Sequence, residues 1–250
     1  MNNRMTFSRN KSIGTQTLAL VLLLPLWAGC VYANNRARTG PLLTETQTIE
    51  TKGATTASID LDMGAGELTL GGGASELANA TFNYNVDVWK PIVNYSVTNG
   101  TGTLTMRQPD IGLSTLSSTR NDWDVHLNNT LPLALKVHLG AGKSTLNLGN
   151  MALTALDVEC GAGETMVDLS GAWTKNTDIK IDGGVGQLTV RLPKEVGVRI
   201  KADTGIGTVK HIGLAQDGDV FTNAAYGTSP ITLNIDISAG VGEVRLELMN

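Results

Sequence analysis

The chain has 250 residues, of which 41% are hydrophobic, only 4% aromatic and 17% charged, with 29 glycines and a net charge of −4. That length accommodates one large all-β domain or two small ones with an ample core. The charge content excludes both a highly charged disordered chain and recognition of nucleic acid by bulk charge, and the Gly-rich, aromatic-poor balance points to turns and strands rather than helices.

The chain opens with a targeting segment. Arg4, Arg9 and Lys11 supply a positive start, and LALVLLLPL at Leu18 to Leu26 is an apolar run too short to span a bilayer comfortably. Two exits follow. Leu26-Trp27-Ala28-Gly29-Cys30 resembles a bacterial lipobox, with Trp27 where Leu is usual, and predicts acylation of Cys30. Val31-Tyr32-Ala33 is a small-x-small site that would release a soluble protein at Asn34. An uncleaved anchor is the third option, and all three export the domain. Residues 1–29 thus read as a signal peptide of lipoprotein type, 30–54 as a tether and 55–250 as one domain. Removing residues 1–29 takes away three basic and no acidic residues, leaving 16 basic against 23 acidic. Such a domain has no electrostatic reason to seek nucleic acid or anionic headgroups.

The first alternating run, Thr56–Leu70, contains Gly64-x-Gly66. Residues 74–130 interrupt the pattern, with strands predicted at 80–88 and 92–98, a hairpin turn at Asn99-Gly100, a partner strand at 103–107 and a short strand near 123–127. From Leu133 to Leu248 the pattern returns. Gly-x-Gly recurs at 140/142, 161/163, 184/186, 205/207 and 240/242, each pair flanked by alternating strand; the central four are spaced 21, 23 and 21 residues apart. This predicts stacked strands, an all-β, β-helix- or solenoid-like domain with Gly-x-Gly corners and an inserted hairpin region. Alternation places Leu135, Val137, Leu156, Val158, Ile179, Ile181, Ile200, Ile235 and Ile237 inward before the corners, and Leu146, Val167, Leu188, Val190, Val244 and Leu246 inward after them. Cys160 takes an inward position and reads as a small core residue rather than a nucleophile.

Gly140-Ala141-Gly142-Lys143-Ser144-Thr145 resembles the end of a phosphate-binding loop. The pattern's earlier glycine is Val137 here, and strand rather than helix follows, so no nucleotide site is predicted. The dinucleotide fingerprint fails for the same reason. On the outward face, two residues before each corner, stand Asp62, His138, Glu159, Asp182, Asp203 and Ser238. If repeats stack in sequence order, Glu159, Asp182 and Asp203 form a carboxylate column beside His138, a candidate cation- or ligand-binding ridge; the alternative is a solvated face offset by lysines two residues earlier. The aromatics Phe82, Tyr84, Trp89, Tyr95 and Trp123 read as the core joining the hairpin region to the stack, with a binding surface as the alternative.

The runs Trp123-Asp124-Val125-His126-Leu127-Asn128, Leu131-Pro132-Leu133 and HLGAGKSTLNLGNMALTALDVECGAGETMVDLSG, with TNGTGTLTMRQP and RLPKEVGVRI, resemble the toast-rack domain of bacterial exported and membrane proteins. Its relatives include the family named for response to cell-wall-active antibiotics. The resemblance implies a stacked-strand fold, no enzymatic activity, no cofactor and no catalytic residues to carry over. It also implies, for some relatives, regulation of envelope-stress signalling through a sensor kinase; those relatives carry transmembrane helices ahead of the domain, which this chain lacks beyond its signal segment. The expected function is a non-enzymatic, exported, lipid-anchored binding or adhesin-like scaffold, with an envelope protein or glycan as partner. A regulatory partner of an envelope-stress sensor and a carbohydrate-active solenoid enzyme are the alternatives. Open edges at the ends of the stack would permit self-association through strands.

Overall fold

The computed structural model describes residues 39–110 and 118–249. Cys30, the signal segment and both cleavage sites lie outside the described residues. In chain order the strands are β1 (Thr39–Ile49), β2 (Thr56–Ala74), β3 (Ala78–Val86), β4 (Ile92–Thr98), β5 (Thr101–Arg107), β6 (Asn121–Asn128), β7 (Leu133–Asn147), β8 (Leu153–Asp168), β9 (Thr177–Leu192), β10 (Gly197–Ile212), β11 (Ala215–Asp217), β12 (Val220–Thr222) and β13 (Thr232–Leu248). The fold is all-β, as the alternation predicts.

Six of these strands are rungs, each with one arm before its Gly-x-Gly corner and one after. They pair in parallel in the order β2-β7-β8-β9-β13-β10, and Gly66, Gly142, Gly163, Gly186, Gly242 and Gly207 fall in register. Both arms turn apolar side chains inward. In β7 the buried residues before the corner are Leu133, Leu135 and Val137, and those after it are Ser144 and Leu146. The inward set thus switches from odd to even positions across the corner. A strand that merely continued would send Leu146 to solvent.

The glycines make that switch. Gly142 and Gly163 sit at φ +137° and +133°, a region that L side chains rarely adopt. The rungs also approach too closely there for a side chain: a Cβ on Gly163 would lie 1.9 Å from the carbonyl oxygen of Gly142.

The first rung is covered on both arms. The β4–β5 hairpin pairs its first arm through β5, and β6, β3 and β1 extend its second arm. The hairpin turns at Asn99 and Gly100, both at positive φ, so β5 starts at Thr101, two residues earlier than the alternation suggests. β3 begins at Ala78 and ends at Val86, and a 3-10 turn at Asp87–Trp89 buries Trp89. The aromatics are core: Phe82, Tyr84, Trp89 and Trp123 are buried, Tyr95 packs half-buried against the core, and the Phe82 and Trp123 rings meet edge-on at 5.1 Å.

Two sequence expectations are corrected here. The tether was expected to run to residue 54, but Thr39–Ile49 is strand β1, antiparallel to β3. Its alternating ETQTI run pairs instead of linking. Sequential stacking also fails at the end of the chain, because β13 occupies the slot between β9 and β10. The crossover from β9 to β10 is clasped by buried Asn223. Its Nδ2 donates to the carbonyls of Pro193 (3.2 Å) and Val196 (2.8 Å), and its Oδ1 accepts from the Val198 amide (2.9 Å). Those polar groups would otherwise be buried unpaired.

Candidate functional site

The outward faces of the first arms carry two columns of charge. Four residues before each corner the order through the stack is Asp60, Lys136, Asp157, Lys180, Asp236 and Lys201, a strict alternation of sign. In sequence order Lys180 and Lys201 would have been neighbours. Inserting β13 places Asp236 between them, and directly opposed like charges are avoided.

The second column, two residues before the corners, runs Asp62, His138, Glu159, Asp182, Ser238, Asp203. His138, Glu159 and Asp182 are brought together on consecutive rungs. Asp203 is not: Ser238 of β13 separates it from Asp182, which corrects the continuous carboxylate column expected from sequential stacking. Glu159 is bridged from two sides, by His138 Nδ1 at 3.1 Å and Lys136 Nζ at 3.5 Å. Asp182 pairs with Lys180, whose ammonium is thereby held above the usual lysine range. Each pair is partly solvated, so water screens it and it adds little to stability. Among the described residues no group of three or more His, Cys, Asp or Glu is arranged to hold a metal ion.

Between this column and the corners lies an open groove of about 470 Å³. Its polar wall is Asp62, His138, Glu159 and Asp182, and Met63, Leu139 and Cys160 are the apolar residues that line it. Burial pushes the Cys160 thiol up, and a hydrogen bond with Thr165 partly offsets this. A raised thiol stays protonated at neutral pH, so Cys160 should alkylate with iodoacetamide more slowly than free cysteine at pH 7.5, with the rate rising as the pH is raised. Mass spectrometry of timed aliquots measures this, and a rate equal to that of free cysteine would contradict it.

The string that imitates a phosphate loop is accounted for in the same register. Ser144 points into the core and shares a 3.0 Å hydrogen bond with Thr165 of the next rung, so its hydroxyl is closed to a ligand. Lys143 sits between Glu67 and Glu164 on the outer face of the second arms. The middle residues of the corners form a row that grows along the stack, half-buried at Ala65 and exposed at Ala141, Ala162, Val185, Val241 and Ile206. In chain order these residues already enlarge from Ala to Val and Ile, and the rung order only places Ile206 last.

The family described as the N-terminal domain of toast_rack (DUF2154) matches residues 38–191, from β1 through nearly all of β9. The chain belongs to the toast-rack family. The family described as cell wall-active antibiotics response LiaF, C-terminal, matches residues 140–246 of this toast-rack chain, the rungs from the β7 corner onward. Among solved structures, a protein of Clostridium sporogenes ATCC 15579, provisionally described as a cell adhesion protein, is 34% identical; the match covers 84% of this chain and 100% of that one with a TM-score of 0.81. A provisionally described adhesin of Bacteroides fragilis NCTC 9343 is 11% identical over 83% of this chain and 98% of its own, at a TM-score of 0.32, too distant to bear on function. No curated protein matches this sequence. Among the described residues no helix is long and apolar enough to cross a membrane.

Proposed function

We propose that this toast-rack chain is an exported, envelope-attached, non-enzymatic binding domain, adhesin-like in that it presents extended surface instead of a reaction centre. The observation that carries the reading is the Clostridium sporogenes relative, matched over its whole length and described in terms of cell adhesion. The surface supports it. Glu159 and Asp182 are each engaged by a side chain beside them, Glu159 by Lys136 and His138 and Asp182 by Lys180. The groove they line is open, as suits an extended glycan or peptide better than a sequestered small substrate.

Attachment follows the lipobox reading, with Cys30 as the acylated residue. In cells fed a labelled fatty acid, the wild-type chain should carry label and fractionate with membranes, and Cys30→Ser should lose both. Binding is tested by displaying the chain on a non-adherent cell and measuring retention on glycan and matrix-protein arrays. Retention above an empty display strain, without turnover of the retained glycan, is the expected result; turnover abolished by Glu159→Ala would replace the reading with an enzymatic one.

A second reading rests on the match to the C-terminal LiaF family over residues 140–246. Under it the chain is a partner of an envelope-stress sensor. Cross-linking in intact cells that captures a membrane kinase, with array retention at background, would favour it.

A further inference from the structure

The two ends of the second-arm layer are finished differently. At the first rung that layer continues through β6, β3 and β1, and the terminal strand β1 carries Pro41 and a register irregularity between Thr39 and Leu43. Both features blunt an edge against further pairing. At the other end β12 covers only Arg199–Lys201 of β10, and the Ala202 amide donates to the Asp219 carbonyl. From Asp203 to Ile212, β10 pairs with β13 on one side and with no other strand among the described residues. Its inward residues Val209 and His211 are half-buried where those of the neighbouring rung, Val244 and Leu246, are buried. Ile206 and Ile212 are 73% and 64% exposed, the two most exposed large apolar side chains among the described residues.

We propose that this edge is a docking strand for a second copy of the chain, pairing antiparallel with its own counterpart about a two-fold axis through Val209. The choice of occupant follows from the order of residues along the edge. A dyad at Val209 sets Ile206 opposite Ile212, Gly207 opposite His211, Thr208 opposite Lys210 and Val209 opposite Val209. Both exposed isoleucines are then covered and no like charges meet. Moving the axis by one residue opposes Lys210 with Lys210 or leaves Ile212 against Thr204. Lys210 does not guard the edge as a free charge, because its ammonium is bound by Glu243 of β13. The exposed corner row of Val185, Val241 and Ile206 ends on this edge, so the pairing continues an apolar strip already present.

A single strand pair buries less than a standard interface, so the dimer should be weak, forming at ~100 μM and dissociating near ~1 μM. Sedimentation velocity on the purified full chain should show that concentration dependence. Ile206→Lys and Ile212→Lys should each shift the midpoint at least about tenfold toward monomer, while their thermal unfolding matches wild type, since both side chains stand in solvent. Val209→Cys in a Cys30→Ser, Cys160→Ser background, oxidised at 100 μM, should give a disulfide-linked dimer. A wild-type chain that stays monomeric throughout overturns the proposal. So does a dimer indifferent to both lysines, which would place its interface elsewhere, and so does a lysine-sensitive dimer in which Val209→Cys never cross-links, which would overturn the register.

Discussion

Gly163→Ala is expected to cost at least about 3 kcal/mol, enough to leave much of the chain unfolded at 37 °C, because two penalties fall on one residue. Its φ of +133° is unfavourable for any residue with a Cβ, and the added carbon would stand 1.9 Å from the Gly142 carbonyl oxygen. Neither neighbour can yield. The Gly163 carbonyl itself lies 1.9 Å from where a Cβ on Gly186 would be, so a shift of this peptide is passed to the next corner. Gly53→Ala is the control, at φ +77° with nothing within 4 Å of its added carbon. It should cost about 1 kcal/mol, the conformational penalty alone. Urea unfolding followed by circular dichroism separates the two, and similar midpoints for both variants would show that rung contact is not what the corner glycine provides.

Trp123→Ala should cost about 3–5 kcal/mol, the range for deleting a large aromatic from a packed core. Trp123 is 1% exposed and edge-on to Phe82. Its indole N–H donates to Asn121 Oδ1 at 2.9 Å, and Asn121 Nδ2 donates in turn to the Ala65 carbonyl at 2.8 Å. That chain fastens the cap of β6 and β3 to the first corner, where the Asn121 carbonyl covers Gly66 much as a preceding rung would. Trp123→Phe keeps most of the packing and leaves the Asn121 oxygen without its donor, so it should cost only about 1–2 kcal/mol. Calorimetric unfolding of the two variants would test this, and equal losses would assign the role to the hydrogen bond instead of the ring.

The rungs were legible because two independent signals coincide in each one. Alternation assigns the faces, and Gly-x-Gly marks where the inward set changes parity, so Val137 and Leu146 can both be placed in the core from sequence. Cys160 takes an inward position in the sequence too, although it is only half-buried. What was not legible depends on which strand lies beside which. Nothing local says that β13 turns back to fill the slot between β9 and β10. Asn223, which clasps that crossover, looks in sequence like any loop asparagine. The candidate ridge failed at the same point: His138, Glu159 and Asp182 lie on consecutive rungs, and Asp203 does not follow them. The alternating sign of the column from Asp60 to Lys201 was the available clue. Sequential order leaves one lysine–lysine contact in it, and only the insertion of Asp236 removes that contact.

The absence of a continuous acidic column therefore rests on rung order, and that order can be measured with paired cysteines in a Cys30→Ser, Cys160→Ser background. Partners on adjacent rungs lie about 5 Å apart and can form a disulfide, whereas residues two rungs apart lie near 10 Å and cannot. Lys180→Cys with Asp236→Cys, and Asp236→Cys with Lys201→Cys, should each oxidise readily in the folded protein, while Lys180→Cys with Lys201→Cys should remain reduced. Ready oxidation of the Lys180–Lys201 pair, with the Lys180–Asp236 pair left reduced, would restore sequential stacking and with it the contiguous carboxylates of Glu159, Asp182 and Asp203.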